Sequence, residues 1–462
     1  MCMSHNWRAW ALIATVFGAW PANCQEKPRS ERLPESVAAE WRKAGAEVGW
    51  MLPDRDGFLI ISTGDESAGR PTYVRAFWLR EWKPGVVAKL PAPETPFGIY
   101  ARGTAVDDDG LKELAGLRQL RALDLRETKV TDRGLKALAR LENLQHLNLC
   151  LTSTTDAGLK ELAGLRRLRT LNLNNTRVTD AGLKSIAELR ELRALDLYHT
   201  RITDAGLKDL ANLQRLEHLS IGFNKVTDAG LAEVAGLRSL RRLDLQNLRV
   251  TDAGLKHLAG LGELRSLKLE GARVTDEGLQ ALAGLGRLER LELRFLKTGD
   301  AGLKHLAGLK ELRHLDLIDM RLTEAGLKEL AGLQQLRRLE IGGAGVNDAG
   351  MKHIAELKQL RALYLHRAKI SDAGLKSLAG LTELESLYLT GSAVTDAGLK
   401  QLRGLANLQY LSLQGSKVTD AGLKELEAGF DRLNWLEVSE TRVTAAGAAE
   451  LQKARPQVSV SR

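Results

Sequence analysis

The sequence predicts an α/β solenoid, a stack of short coils each built from one strand and one short helix. Three observations predict it. The phrase "TRVTDAGLK" at Thr176–Lys184 returns in close form as "TRITDAGLK" from Thr200, "RVTDAGLK" from Arg249 and "KVTDAGLK" from Lys417. Glycines recur every 24 residues from Gly110 to Gly422, and Gly447 follows after 25. No proline stands between Pro96 and Pro456, so nothing blocks a regular backbone over that span. Self-similarity at such a period marks stacked repeats, in which each unit buries its apolar side against its neighbours. Hydrophobic residues make up 44% and charged residues 27%, a balance that excludes wholesale disorder.

At the N-terminus, Arg8 precedes the apolar run Ala9–Trp20 and the polar-going stretch Pro21–Gln25. This pattern reads as a secretory signal over residues 1–24. The run is too short for a transmembrane helix, which needs about 20 residues. Cleavage after Cys24 leaves Cys150 as the one cysteine of the mature chain, so packing and not a disulfide must hold it. Cleavage after Ala22, or a lipid on Cys24, is the alternative. Residues 25–96 predict an α+β cap. "PESVAAEWRKAGAEVGW" from Pro34 sets Val37, Trp41, Ala44 and Val48 on one helical stripe. "GFLIIST" from Gly57 and "YVRAFWLREW" from Tyr73 read as strands. Trp41, Trp50, Trp78 and Trp82 are expected to cover the open end of the first coil.

Within the unit that starts at Leu168, Leu171 and Leu173 alternate as a short half-buried strand. Val178 points inward. Thr179 is a helix cap and Asp180 places a negative charge at the helix start. Leu183, Ile186 and Ala187 form the stripe of a short helix. Several units place Gly after that helix, as at Gly164 and Gly236, which predicts a left-handed helix end. The recurring glycine of "DAGL" reads as room for packing between coils, with a positive φ as the alternative.

This pattern resembles the leucine-rich repeat family, most like bacterial secreted proteins with 24-residue "VTDAGL" repeats, and it is similar to the repeats of F-box substrate adaptors. The resemblance covers the chain from about Phe97 to the end. It implies a horseshoe with parallel strands on the concave face and short helices on the convex face. Repeats are expected over 97–444 and a C-terminal cap, a helix and a last strand, over 445–462. The position after "LxLxx", often Asn or Cys in the family, is Thr128, Thr152, Thr176 and Thr200 early and Leu248, Leu296 and Met320 later, so no continuous polar ladder is expected there. Thr154 and Thr298 replace the usual Val.

No catalytic, metal or cofactor constellation emerges. The Asp132, Asp156 and Asp180 column has a local duty at helix starts. His257, His305 and His353 share a helix position but lie two coils apart, roughly 10 Å at about 4.8 Å per strand, too far to share a metal. "GGAG" from Gly342 lacks the Lys-Ser/Thr of a phosphate loop.

Information is expected on the exposed strand face. Tyr364, His366, Tyr388, Tyr410 and Trp435 depart from the repeat there, and Tyr and Trp are frequent binding hot spots. Tyr198, His199 and Phe223 form a secondary candidate patch. A basic column at that face or its edge includes Arg177, Arg201, Lys225, Arg249, Arg273, Lys297 and Arg321. It would suit a polyanion or acidic glycan, although acids such as Asp124, Asp196 and Asp244 offset it. The net charge of +9 permits an acidic partner without requiring one. The function expected is a non-catalytic, monomeric, secreted or periplasmic scaffold for a protein partner. Polyanion binding is the alternative. Nucleic acid is disfavoured, because aromatic residues are sparse along the basic column. A ubiquitin-ligase adaptor is disfavoured, because no F-box-like segment precedes the repeats.

Overall fold

Alternating leucines make strands because every second side chain can enter one core while its neighbours face outward. In the computed structural model, which describes residues 33–54, 57–62, 74–427 and 429–462, Leu171 and Leu173 are fully buried, as are Leu195, Leu197, Leu219 and Ile221 in the next coils. The strands pair in parallel without slipping. Leu171 faces Leu195, which faces Leu219, then Leu243 and Leu267. Among the described residues the sheet has 19 strands. β1 (Ala46–Pro53) lies antiparallel between β2 (Leu59–Ser62) and β3 (Val74–Leu79). β3 runs parallel to β4 (Phe97–Tyr100), and β4 to β5 (Leu120–Asp124). One parallel strand per coil follows, to Ser459–Ser461. Short helices or 3-10 turns, such as Asp180–Ile186 and Gly278–Leu282, complete the coils. A helix is wider than a strand, so the stack bends with its strands inside. This is the predicted leucine-rich repeat solenoid.

The aspartate of "TDAGL" does more than start a helix. Its carboxylate clamps the next coil. Asp156 Oδ1 accepts the Thr179 N–H at 2.7 Å and Oδ2 accepts the Thr179 hydroxyl at 2.6 Å. The same hydroxyl oxygen caps its own helix, accepting from the Ala181 N–H at 3.3 Å. The clamp recurs from Asp108–Thr131 to Asp420–Thr444. It weakens at Gly299, where Asp276 meets only an N–H. It is replaced at Asn347, whose own side chain accepts from Ala349 and Gly350. The recurring glycine supplies packing room, as expected. A Cβ on Gly182 would lie 2.5 Å from Asp156 Oδ1, so the glycine leaves space for the clamp of the preceding coil.

Two expectations need correction. The glycines after the helices, Gly164 and Gly236 among them, are not left-handed. The chain leaves each helix through a right-handed turn, with Ala187 at φ −56° and the Leu189 N–H donating to Ile186 O. The left-handed residue comes instead after the strand, and it is mostly not glycine: Asn175, His199, Phe223 and Phe295 have φ of 52–58°. There the N–H turns to the next coil, as when Phe223 donates to Gln246 O at 2.8 Å. Lastly, the N-terminal helix α1 (Glu35–Lys43) stops before Val48. Gly45 turns the chain at φ +97°, and Val48 lies on β1.

The inner polar positions divide as the sequence implied. Thr128, Thr152 and Thr176 donate to carbonyls three residues back, whereas Leu248, Leu296 and Met320 simply fill the core. Thr154 is buried but shares a hydrogen bond with Thr152 at 2.8 Å. The buried Thr298 hydroxyl has no partner, a local cost that valine would avoid.

The N-terminal elements do two things. Trp41 is fully buried, stacked on Phe77 at 4.1 Å and edge-on to Phe97, while Trp82 joins the same core. The β1–β2 hairpin then crosses the strand-lined face. Met51 and Leu59 pack with Tyr100 and Ala122. Phe58 sets its ring edge-on to His218 at 5.6 Å. Gly57 comes so near that a Cβ there would lie 3.8 Å from the Ala194 Cβ and 3.7 Å from Arg242 Nη2. The hairpin thus covers strand-face positions of the early coils.

Candidate functional site

Beyond the coils that the hairpin touches, the repeat places one side chain of each strand in a straight outward column. Tyr364 faces Tyr388 and Ser412 in this column. The tyrosine rings stack at 4.4 Å with 15° between their planes. His366 lies near-parallel to Tyr364 at 6.3 Å, and Trp435 tilts against Tyr388 at 6.2 Å. Tyr410 stands in the adjoining column, facing Trp435 across the strands. All five side chains are half-buried, so each keeps an exposed part. Burial, and then the neighbouring Tyr364, pushes the Tyr388 phenol up to about 12.

A charged network that the sequence did not single out anchors this stack. Arg338 lies over the Tyr364 ring at 4.2 Å, donates to its hydroxyl at 3.0 Å and pairs with Glu340 at 2.7 Å. Arg294 bridges Asp316 and Glu340. Ligand atoms of His314, Asp316 and Glu340 lie within 4.8 Å of one another, but the two arginines already compensate both carboxylates. Burial and the charge of Glu340 push the Asp316 carboxyl upward. The signal for this network was two arginines on the face of the acids, Arg338 two residues from Glu340 and Arg294 one coil from Asp316 and two from Glu340.

The secondary patch also assembles. Tyr198 meets Phe223 at 5.0 Å and His199 meets Phe223 at 6.3 Å. Tyr198 borders a cleft of about 290 Å³ between the hairpin and the coils, lined also by Asn172, Ser220, Asp244, Gln246 and Ser266. Asp244 accepts the Gln246 N–H at 3.0 Å and stands 4.0 Å from Lys268. Burial, against the pull of Lys268, holds its carboxyl up at about 6. The folded chain therefore retains a proton that the unfolded chain loses near pH 4, and stability falls as pH rises from about 4 to 6. Asp244→Asn is expected to remove that fall. It should gain up to about 3 kcal/mol above pH 7, and little below pH 4, in denaturant midpoints.

The basic column lies at the edge of this face, after the strands and before the helices. Arg177, Arg201, Lys225, Arg249, Arg273, Lys297 and Arg321 are all exposed. The Arg201 N–H donates to Val178 O at 2.9 Å and the Arg273 N–H to Val250 O at 2.8 Å, which fixes neighbouring coils at hydrogen-bonding distance. Leu151, Phe223 and Phe295, in the left-handed positions nearby, are 43–54% exposed. The expected signal, residues 1–24, lies outside the described residues. No described helix is long and apolar enough to cross a membrane.

Two family models match the chain, one of a leucine-rich repeat region over residues 111–283 and one of a leucine-rich repeat over 404–426. Among solved structures, an internalin (inlF) of Listeria monocytogenes is 23% identical with a TM-score of 0.54, the match covering 71% of this chain and 87% of that one. A leucine-rich repeat protein of Leptospira interrogans is 22% identical with a TM-score of 0.56, covering 83% and 93%. These likenesses concern the fold. No curated protein matches the sequence. The leucine-rich repeat is thus matched at two separate stretches, and the same coil is built without a break between them, which gives the chain the fold of a leucine-rich repeat solenoid.

Proposed function

We propose that the chain is a non-catalytic scaffold, secreted or periplasmic, that takes a protein partner on the later coils of its strand-lined face. The observation that carries this reading is the Tyr364–Tyr388–Trp435 stack, half-exposed on the sheet beyond the hairpin. Tyrosine and tryptophan give large contact area at small cost in side-chain entropy, and they dominate hot spots. Arg338 holds Tyr364 by a hydrogen bond and a cation–π contact, so less freedom is lost on binding. The apolar run Ala9–Trp20 supports export.

The test is affinity capture with the full chain, followed by titration of the captured protein. Tyr364→Ala with Tyr388→Ala is expected to weaken binding by 100-fold or more, about 3 kcal/mol. Phe295→Ala, an exposed aromatic outside the stack, should leave it unchanged. Affinity indifferent to the tyrosines, but collapsing with salt and with Arg201, Arg249 and Arg273 together changed to Ala, would reject the reading in favour of a polyanion site.

A further inference from the structure

The cleft under the hairpin is separate from the tyrosine stack and has its own chemistry. Its floor is the outward face of successive strands between Thr170–Asn172 and Ser266–Lys268, and Asp54 and Phe58 form part of its wall. At about 290 Å³ it sits at the small end of ligand sites and suits a molecule of one ring.

Five neutral polar side chains point to what it takes: Asn172, Tyr198, Ser220, Gln246 and Ser266. Among the described residues, the Asn172 amide nitrogen, the Gln246 side-chain amide and the three hydroxyls make no hydrogen bond to protein. Asn172 and Ser220 are 8% and 5% exposed, so their remaining contact is with the cleft. Charged groups of both signs also line the cleft, Asp54, Asp196 and Asp244 beside Arg242 and Lys268. Lys268 stands 4.0 Å from both Asp244 and Glu292, and Asn174 donates to Asp196 at 3.5 Å.

An ionic ligand would meet both signs of charge here and gain little. An apolar ligand would leave the neutral donors and acceptors unpaired, at a cost for each. A neutral molecule with several hydroxyls satisfies both kinds of group at once, and the Tyr198 and Phe58 side chains in the lining add apolar contact for its C–H groups. We propose that this cleft binds one neutral sugar ring, as a free monosaccharide or as the terminal residue of a glycan. The site does not depend on the protein-partner reading, and either can fail alone.

The experiment uses the full chain. Saturation-transfer NMR is run with free glucose, galactose, mannose and N-acetylglucosamine, with arginine and glutamate as charged comparators. A neutral-glycan array forms the second arm. Saturable binding of one sugar, or of glycans sharing one terminal sugar, is expected. Gln246→Ala and Ser266→Ala should each weaken it by roughly 5- to 10-fold at unchanged melting temperature. Signal with free sugar alone assigns a monosaccharide ligand; signal on the array alone assigns a glycan end. Silence in both arms overturns the proposal. So does tighter binding of either charged comparator, or sugar binding that neither variant alters. Should a variant melt early, Tyr198→Phe, which removes only a hydroxyl, replaces it.

Discussion

Gly254→Ala is expected to destabilise the chain by about 3 kcal/mol or more, although alanine is the better helix former. Two effects oppose each other. Replacing glycine inside a helix gains about 1 kcal/mol in propensity. The new Cβ, however, would lie 2.2 Å from Asp228 Oδ1, 2.9 Å from its Cγ and 3.1 Å from its Cα. The carboxylate must move, and with it go the bonds from the Thr251 N–H and hydroxyl at 2.8 and 2.6 Å. Each such charged hydrogen bond contributes about 1.5–3 kcal/mol, so the clash wins. A double-mutant cycle isolates the cause. Asp228→Ala should itself cost about 2–3 kcal/mol. In that background the penalty of Gly254→Ala should shrink by about 1–2 kcal/mol, because the atom it strikes is gone. Gly284→Ala is the control. Nothing lies within 4 Å of the added Cβ and its φ is ordinary, so it should be neutral or gain up to about 1 kcal/mol. Strict additivity of the 228 and 254 variants in denaturant midpoints would reject the clamp.

What could be read in the sequence, and what could not, follows from the reach of each interaction. The period gave the coil, because inward leucines and capping threonines act within one unit or against an identical neighbour. The threonine cap was visible for that reason, with Thr179 bonding the N–H two residues on. The carboxylate clamp was not, since Asp156 and Thr179 are partners from different coils. The left-handed position was hidden by its occupants. Leu151, His199, Phe223 and Arg367 carry no turn signature, and only the hydrogen-bonding demand of the next coil holds them there. The tyrosine stack was visible because Tyr364 and Tyr388 break a column that repetition had filled with polar and charged residues, from Asn172 and Asp196 to Asp316 and Glu340. Its anchor, Arg338, looked like one more surface arginine. The hairpin over the early coils was the least visible feature. Phe58 and His218 are joined by packing alone, and an isolated Phe near a glycine says nothing of which distant strand it will meet.

Trp41→Ala should cost about 3–5 kcal/mol, and the damage should stay at one end. Trp41 is fully buried, its ring stacks on Phe77, and its indole N–H donates to Pro91 O at 3.0 Å. Truncation removes a large apolar surface and strands a carbonyl. In a stack where each coil contacts only its neighbours, stability is carried by successive interfaces, so a lost end cover frays the adjacent coils before it reaches the middle. Hydrogen exchange should therefore lose protection at Phe97–Tyr100 and Leu120–Asp124 while the amides around Leu267 and Leu363 keep theirs. Uniform loss along the chain would mean that the coils unfold as one unit and that the end has no special burden. The hairpin adds a second readout. Its strand β1 is paired with β3, which carries Phe77, so a displaced β3 should release Phe58 from His218 and open the cleft. Loss of sugar binding with the tyrosine-stack interaction intact is then the expected phenotype, because the two sites stand on different coils and only the first depends on the N-terminal packing.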